Sequence, residues 1–185
     1  VRGTRRSRSS CAGTPRKAQG FDWEDRSTWA AVLRGADAVY LVHPVDVGSP
    51  AAAGALGGLA REAVGLGVRR LVLLSARGEE RARPTEEAVR AACGDLTVVR
   101  AAWFDQNFSE GPLVKELRES GELAFPGGEV REPFIDVRDI ADVVVAALAE
   151  GDRYAGRELT VSGPRLLTWG EAVAEIAKAA GRELT

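Results

Sequence analysis

"ADAVYLVHPVDVGSPAAAGALGGLAREAVGLGVRRLVLLSA" (36–76) is the stretch that decides the fold of this chain. Its two ends, 36–44 and 68–76, are short apolar runs dense in β-formers, without the polar alternation of a half-exposed strand. Each therefore reads as a strand buried on both faces. Between them, 49–67 reads as a helix: Ser49 can cap it, Pro50 stands at its first position and Gly67 closes it. Four interior glycines (Gly54, Gly57, Gly58, Gly65) lower its intrinsic propensity, so packing has to hold it.

The same rhythm continues outward. Residues 84–94 read as a helix, with Pro84 near its start and Gly94 past its end, and 96–101 as a third strand. After a short amphipathic helix at 111–121, "ELAFPGGEVREPFI" (122–135) reads as a turn between two short extended pieces. The clearest helix is 136–151, where Ile140, Val143, Val144, Ala147 and Leu148 repeat on one face. Asp136 and Asp139 place acid at its N-terminus. A strand at 157–163 and a helix at 168–181 follow, the latter opened by a capping box of Thr168 and Glu171. "GRELT" occurs at 156–160 and again at 181–185, so the last residues read as the first half of a further strand.

Strand–helix alternation of this kind predicts an α/β, doubly wound parallel sheet with helices on both faces, in a single domain over 1–185. Such sheets bind ligands beyond the carboxyl ends of their strands. Those ends are Arg6, Asp22, His43–Pro44, Ser75 and Ala101–Trp103.

Bulk properties narrow the function. Hydrophobic residues make up 45% and charged residues 28%, as in ordinary globular proteins. The net charge of −2 carries no nucleic-acid footprint, although residues 1–20 hold six basic side chains and no acid. That basic head fits a nucleic-acid or membrane arm, a local phosphate site or a disordered end. Cys11 and Cys93 have no disulfide or metal spacing, and His43 is the only histidine, which excludes a multi-histidine metal site. No apolar run reaches the ~18 residues of a membrane span, and the head lacks the apolar stretch of a signal peptide. A cytoplasmic protein is the expectation.

"FDWEDRSTWAAVLRGADAVYLVHP" (21–44), "RRLVLLSARG" (69–78), "VVRAAWFDQNF" (98–108) and "REPFIDVRDIADVVVAAL" (131–148) stand in one order and at set separations. Together they resemble the NmrA-like atypical short-chain dehydrogenase/reductase family, in a branch similar to the ergot-alkaloid clavine dehydrogenases. The resemblance implies a Rossmann-like NAD(P)-binding domain with substrate-side elements at about 103–135 and 152–185. Family members begin with a strand, a glycine-rich loop and a helix, and "VRGTRR" (1–6) looks like the strand that follows these. The expectation is a chain that is incomplete at both ends and lacks the loop whose backbone N–H groups approach a pyrophosphate.

The resemblance also implies roles. Arg6 would meet the 2′-phosphate of NADP(H), favoured over NAD(H), unless it is a solvated charge in the head. Asp22 would accept from the adenine amino group, or belong to the acids that cap 25–35. His43, Pro44 and Ala101 would pass beneath the cofactor, Ala101 replacing the proline of the family's Arg-Pro. Ser75 would polarise a substrate carbonyl, or merely bond nearby backbone. Trp103, Phe104, Asn107, Phe108 and Phe134 would line the nicotinamide and the substrate, unless the aromatics are core. Related reductases use Tyr-x-x-x-Lys as the acid–base pair, but the equivalent slots here are Glu79 and Arg83, and neither Tyr40 nor Tyr154 is near. Reduction of an iminium, as in the clavine branch, tolerates that loss. The activity implied is hydride transfer to a small organic substrate (imine, quinone or carbonyl), without a metal, nucleic acid or membrane. A non-catalytic NAD(P)-sensing module with a protein partner, or an inactive fragment, remains the alternative.

Overall fold

A computed structural model describes residues 20–111 and 113–185. Four strands form a parallel sheet: β1 (Ala38–Leu41), β2 (Arg70–Ala76), β3 (Thr97–Ala101) and β5 (Glu158–Val161), side by side in that order. The helices are α1 (Trp29–Leu33), α2 (Ala52–Gly65), α3 (Arg83–Arg90), α4 (Val114–Glu119), α5 (Val137–Ala149), α6 (Gly151–Tyr154) and α7 (Trp169–Ala180). This is the α/β parallel arrangement that the apolar runs predict, and the Rossmann-like one that the resemblance implies.

The unalternated strands are explained by what covers each face. Leu71 and Leu73 point into a core with Trp29, Leu56, Leu59 and Val89 from α1, α2 and α3. Val72, between them, points to the opposite face and packs with Val99, Ile140, Val144 and Ala147. Each such side chain, fully buried, contributes about 1.5–3 kcal/mol, which is why neither face tolerates a polar residue here. The glycines of α2 also have a packing reason, since a Cβ at Gly57 would lie 3.0 Å from that of Ala88 in α3. Gly67 adopts φ +94°, the left-handed conformation that turns the chain from α2 into β2.

Three local expectations are revised. Helix α2 starts at Ala52, and Ser49 makes no cap bond; its carbonyl instead accepts from the Ala52 amide at 3.0 Å, in a turn that precedes the helix. Within 122–135 only β4 (Arg131–Glu132) is a strand, and its antiparallel partner is β6 (Leu167–Thr168), not its own neighbours. Residues 181–185 form no strand, although Thr185 exchanges backbone bonds with Gly121 and Leu123 at 2.9 and 2.7 Å.

The caps of the later helices are as the sequence predicts. Asp136 accepts from the Arg138 amide at 2.8 Å. Thr168 and Glu171 form the reciprocal box, at 3.1 and 2.8 Å. Thr168→Ala leaves the Glu171 amide without its partner and is expected to lower stability by about 1 kcal/mol. Urea denaturation of that variant checks it, and an unchanged midpoint would mean the box is redundant.

Candidate functional site

The carboxyl ends of β1, β2 and β3 open into a cleft of about 540 Å³. Its walls are residues 42–47 after β1, 74–79 at the end of β2, and 101–104 with Asn107 after β3. Parallel register places these ends level: Ala76 pairs with Ala101, and Ala101 with Val161. The cleft therefore brings together His43, Pro44, Ser75, Ala101, Trp103, Phe104 and Asn107, which are 64 residues apart in sequence at the extremes.

Other expected residues lie elsewhere. Phe108 and Phe134 line a second cavity. Asp22 lines neither cavity; it is exposed, and its side chain accepts from the Glu24 amide at 2.9 Å. The cap of the first 3-10 turn is Asp25, not Asp22. Arg6 is outside the described residues. Neither Tyr40 nor Tyr154 lines the cleft; burial pushes the Tyr40 hydroxyl up to about 12.

Ser75 forms part of the cleft floor, and its hydroxyl donates to Glu86 Oε1 at 2.6 Å. Glu86 is buried, and Arg100 grips it with a fork, Nε to Oε1 at 2.9 Å and Nη2 to Oε2 at 2.6 Å. Burial opposes ionisation of Glu86, but the hydrogen bonds from Arg100 and Ser75 outweigh it and hold the carboxyl below its usual range. An ionised carboxylate only accepts. Ser75 thus spends its proton on Glu86 and presents lone pairs to the cleft, so polarising a carbonyl requires its hydroxyl to turn away from Glu86.

His43 accepts long hydrogen bonds at Nδ1 from the amides of Val45 and Asp46, at 3.4 and 3.3 Å. That assigns the proton of the neutral ring to Nε2. Glu79 lines the cleft as well and caps the turn Glu80–Ala82; hydrogen bonds from Arg81 hold its carboxyl below the usual range. Arg77 is the cation of the lining, 3.8 Å from Glu132. Thr85 of α3 donates to the Val47 carbonyl at 2.7 Å and fixes the wall after β1.

Sequence reasoning passed over Glu86 and Trp169. Glu86 stands four residues after Ala82 and three before Val89, on the buried face of its helix, and that spacing was the available signal. Trp169 is the hub of an aromatic cluster: Phe125 stacks on it at 3.8 Å, and Trp103 and Phe134 meet it edge-on at 5.1 and 5.0 Å.

The chain is 31% identical to an uncharacterized oxidoreductase of Bacillus subtilis, YesF, across 89% of this chain and 57% of that protein. It is 30% identical to a festuclavine dehydrogenase of Aspergillus fumigatus, across 92% of this chain and 62% of that one. These relatives are oxidoreductases, as the resemblance to the NmrA-like atypical short-chain dehydrogenases/reductases implies. No family model matches the chain. The fold of the chain is that of Citrobacter sp. triphenylmethane reductase, solved with NADP(H), at a TM-score of 0.71 and 16% identity over 89% of this chain and 60% of that one. The chain thus spans less than two thirds of the length of these relatives. Among the described residues no group of side chains is suited to a metal, and no helix is long and apolar enough to cross a membrane.

Proposed function

We propose that this chain forms the cleft of an NAD(P)H-dependent oxidoreductase that passes hydride to a small organic substrate. The observation that carries the reading is the convergence of three strand ends on one cleft with an aromatic wall. Its volume, about 540 Å³, falls within the usual range of small-molecule sites, roughly 300–1,000 Å³. His43, Pro44, Ser75 and Ala101 suit the nicotinamide and its ribose, and Trp103, Phe104 and Asn107 the substrate. The adenine end has no comparable wall among the described residues; Arg6 and Asp22 are assigned to it on the family pattern alone. The cofactor supplies the hydride. The chain's part is to orient the two reactants and exclude water, with Trp103 packed on Phe125 and Trp169 as a firm backing. Oxidation of NADPH against a panel of imines, quinones and carbonyls tests the reading.

Cofactor choice rests with Arg6, whose guanidinium suits a 2′-phosphate. In a form of the protein with the glycine loop ahead of Val1, Arg6→Ala is expected to weaken NADPH about ten- to a hundredfold, since such bonds contribute roughly 1.5–3 kcal/mol. NADH should hardly change. Equal weakening of both cofactors, or loss of the preference in Arg5→Ala alone, would reject the assignment.

A second reading, an NAD(P)-sensing module that binds a protein partner, is supported by the lack of any tyrosine in the cleft and by the engagement of Ser75 with Glu86. Cofactor binding without turnover on the whole panel would favour it.

A further inference from the structure

Most polar side chains of the strand-end cleft have a hydrogen-bond partner within the protein. Asp46 accepts from the Gly48 amide at 2.6 Å. Glu79 accepts from the Arg81 amide at 3.0 Å and from its guanidinium at 3.1 and 3.2 Å. Ser75 is spent on Glu86, and His43 Nδ1 on two amides. The side chains of Arg77, Trp103 and Asn107 make no hydrogen bond among the described residues. Each of them brings N–H donors: the guanidinium, the indole and the carboxamide.

The sheet sets these three close in the fold. The Arg77 amide donates to the Ala101 carbonyl at 2.9 Å, which extends the pairing of β2 with β3 and lays Arg77 beside the segment leading into Trp103. Asn107 follows on the 3-10 turn Asp105–Phe108. Arg100, Arg131 and Arg165 each grip a carboxylate with two hydrogen bonds. Arg77 does not. Its Nη1 stands 3.8 Å from Glu132 Oε1, an ion contact beyond hydrogen-bond distance. Glu132 lies outside the lining, so it steadies the charge and leaves the donors to the cleft. A cation would be repelled there, and an apolar group would cover the donors without satisfying them. An oxyanion suits them, since two of its oxygens match the fork of a guanidinium.

We propose that the substrate of this cleft carries an oxyanion (a carboxylate, phosphate or sulfonate) that Arg77 grips, with Asn107 as a further donor and Trp103 against the organic body. Arg77 is then a specificity-determining residue. The inference rests on the assignment of Trp103 and Asn107 to the substrate made above. The cofactor's own phosphates share this chemistry, so the test has to separate the two sources.

Calorimetric titration of the 185-residue chain with naphthalene-2-sulfonate at neutral pH tests the site, with naphthalene-2-sulfonamide as the uncharged isostere. The sulfonate is expected to saturate and to bind about tenfold more tightly. That is the low end for charge-assisted bonds, because the Arg77 side chain is 42% exposed. Arg77→Gln should bring the sulfonate down to the level of the sulfonamide. Unchanged sulfonamide affinity in that variant shows that the cleft is still folded. Arg69→Gln makes the same change of charge at the other end of β2 and should keep the full preference. 2′,5′-ADP, which carries phosphates of the cofactor without its nicotinamide, should not displace the sulfonate. Absence of saturable binding, equal affinity for the two ligands, a preference that survives Arg77→Gln or falls equally in Arg69→Gln, or displacement by 2′,5′-ADP would overturn the proposal. Turnover is read apart: if the preference holds while no substrate oxidises NADPH, the hydride-transfer reading fails and the anion site stands.

Discussion

Arg100→Ala is expected to lower stability by about 3–5 kcal/mol, because it leaves Glu86 charged and uncompensated inside the protein. The Glu86 side chain is 3% exposed and that of Arg100 26%, so water screens this pair little. Arg100 also binds Glu158 at 2.8 Å, and Glu158 binds Arg90 at 2.8 Å, so one guanidinium links β3 to α3 and β5. Lysine would not serve, since a single ammonium cannot reproduce the two parallel bonds to the carboxylate. The pH dependence gives a second, sharper test. In the parent the folded pKa of Glu86 lies below its unfolded value. Its contribution is therefore fully present above the unfolded pKa and is lost as pH falls through the folded one. Without Arg100, burial dominates and the folded pKa rises above the unfolded value, so acidification should relieve the variant. Urea denaturation at neutral and acidic pH should show the gap between parent and variant narrowing in acid. A variant within about 1 kcal/mol of the parent at neutral pH would mean that Glu86 is far better hydrated than its surroundings imply.

The strand ends were legible in the sequence for a simple reason. A strand buried on both faces is a continuous apolar run, and Pro44, Ser75 and Ala101 stand where those runs stop. Parallel register then brings those residues together without further information. What was not legible depends on the next level of structure. Glu86 sits among Arg83, Glu87 and Arg90, and nothing local marks it as the buried one. Its partner Arg100 lies on the next strand, and only the pairing of Ser75 with Arg100 across β2 and β3 assembles the three. Phe108 and Phe134 are grouped with Trp103 by the family resemblance, whose loops line the nicotinamide and the substrate. A single 3-10 turn carries Phe108 to the other side, while Phe134 reaches the same cavity from the segment beside β4. Trp169 was read only as the first residue of a capped helix, since its aromatic partners come from four distant segments. In 122–135 the turn residues were visible, but strand pairing with 167–168 is a long-range fact that no local pattern encodes.

Gly163→Ala should be the most damaging of the glycine substitutions, at about 2–4 kcal/mol. The residue follows β5, and its amide donates to the Pro133 carbonyl at 3.0 Å. A Cβ there would fall on the carbonyl oxygen of Phe134, a backbone atom that cannot rotate aside. Residues 133–135 have little freedom to retreat, because Ile135 donates to the Trp103 carbonyl and accepts from the Asp105 amide, both at 2.9 Å. Overpacking of this kind costs about 1–3 kcal/mol, and loss of the bond to Pro133 adds about 0.5–1.5 kcal/mol. The damage should reach the candidate sites as well, since Phe134 holds Trp169 edge-on and Trp169 backs Trp103. Gly54→Ala is the proper contrast. It lies within α2, where a Cβ would meet nothing within 4 Å, so the gain in helix propensity should stabilise by about 0.5–1 kcal/mol. Opposite shifts of the two urea midpoints are therefore expected. If Gly163→Ala unfolds with the parent, the segment before α5 can move away from β5, and the wall shared by the two cavities is softer than its hydrogen bonds imply.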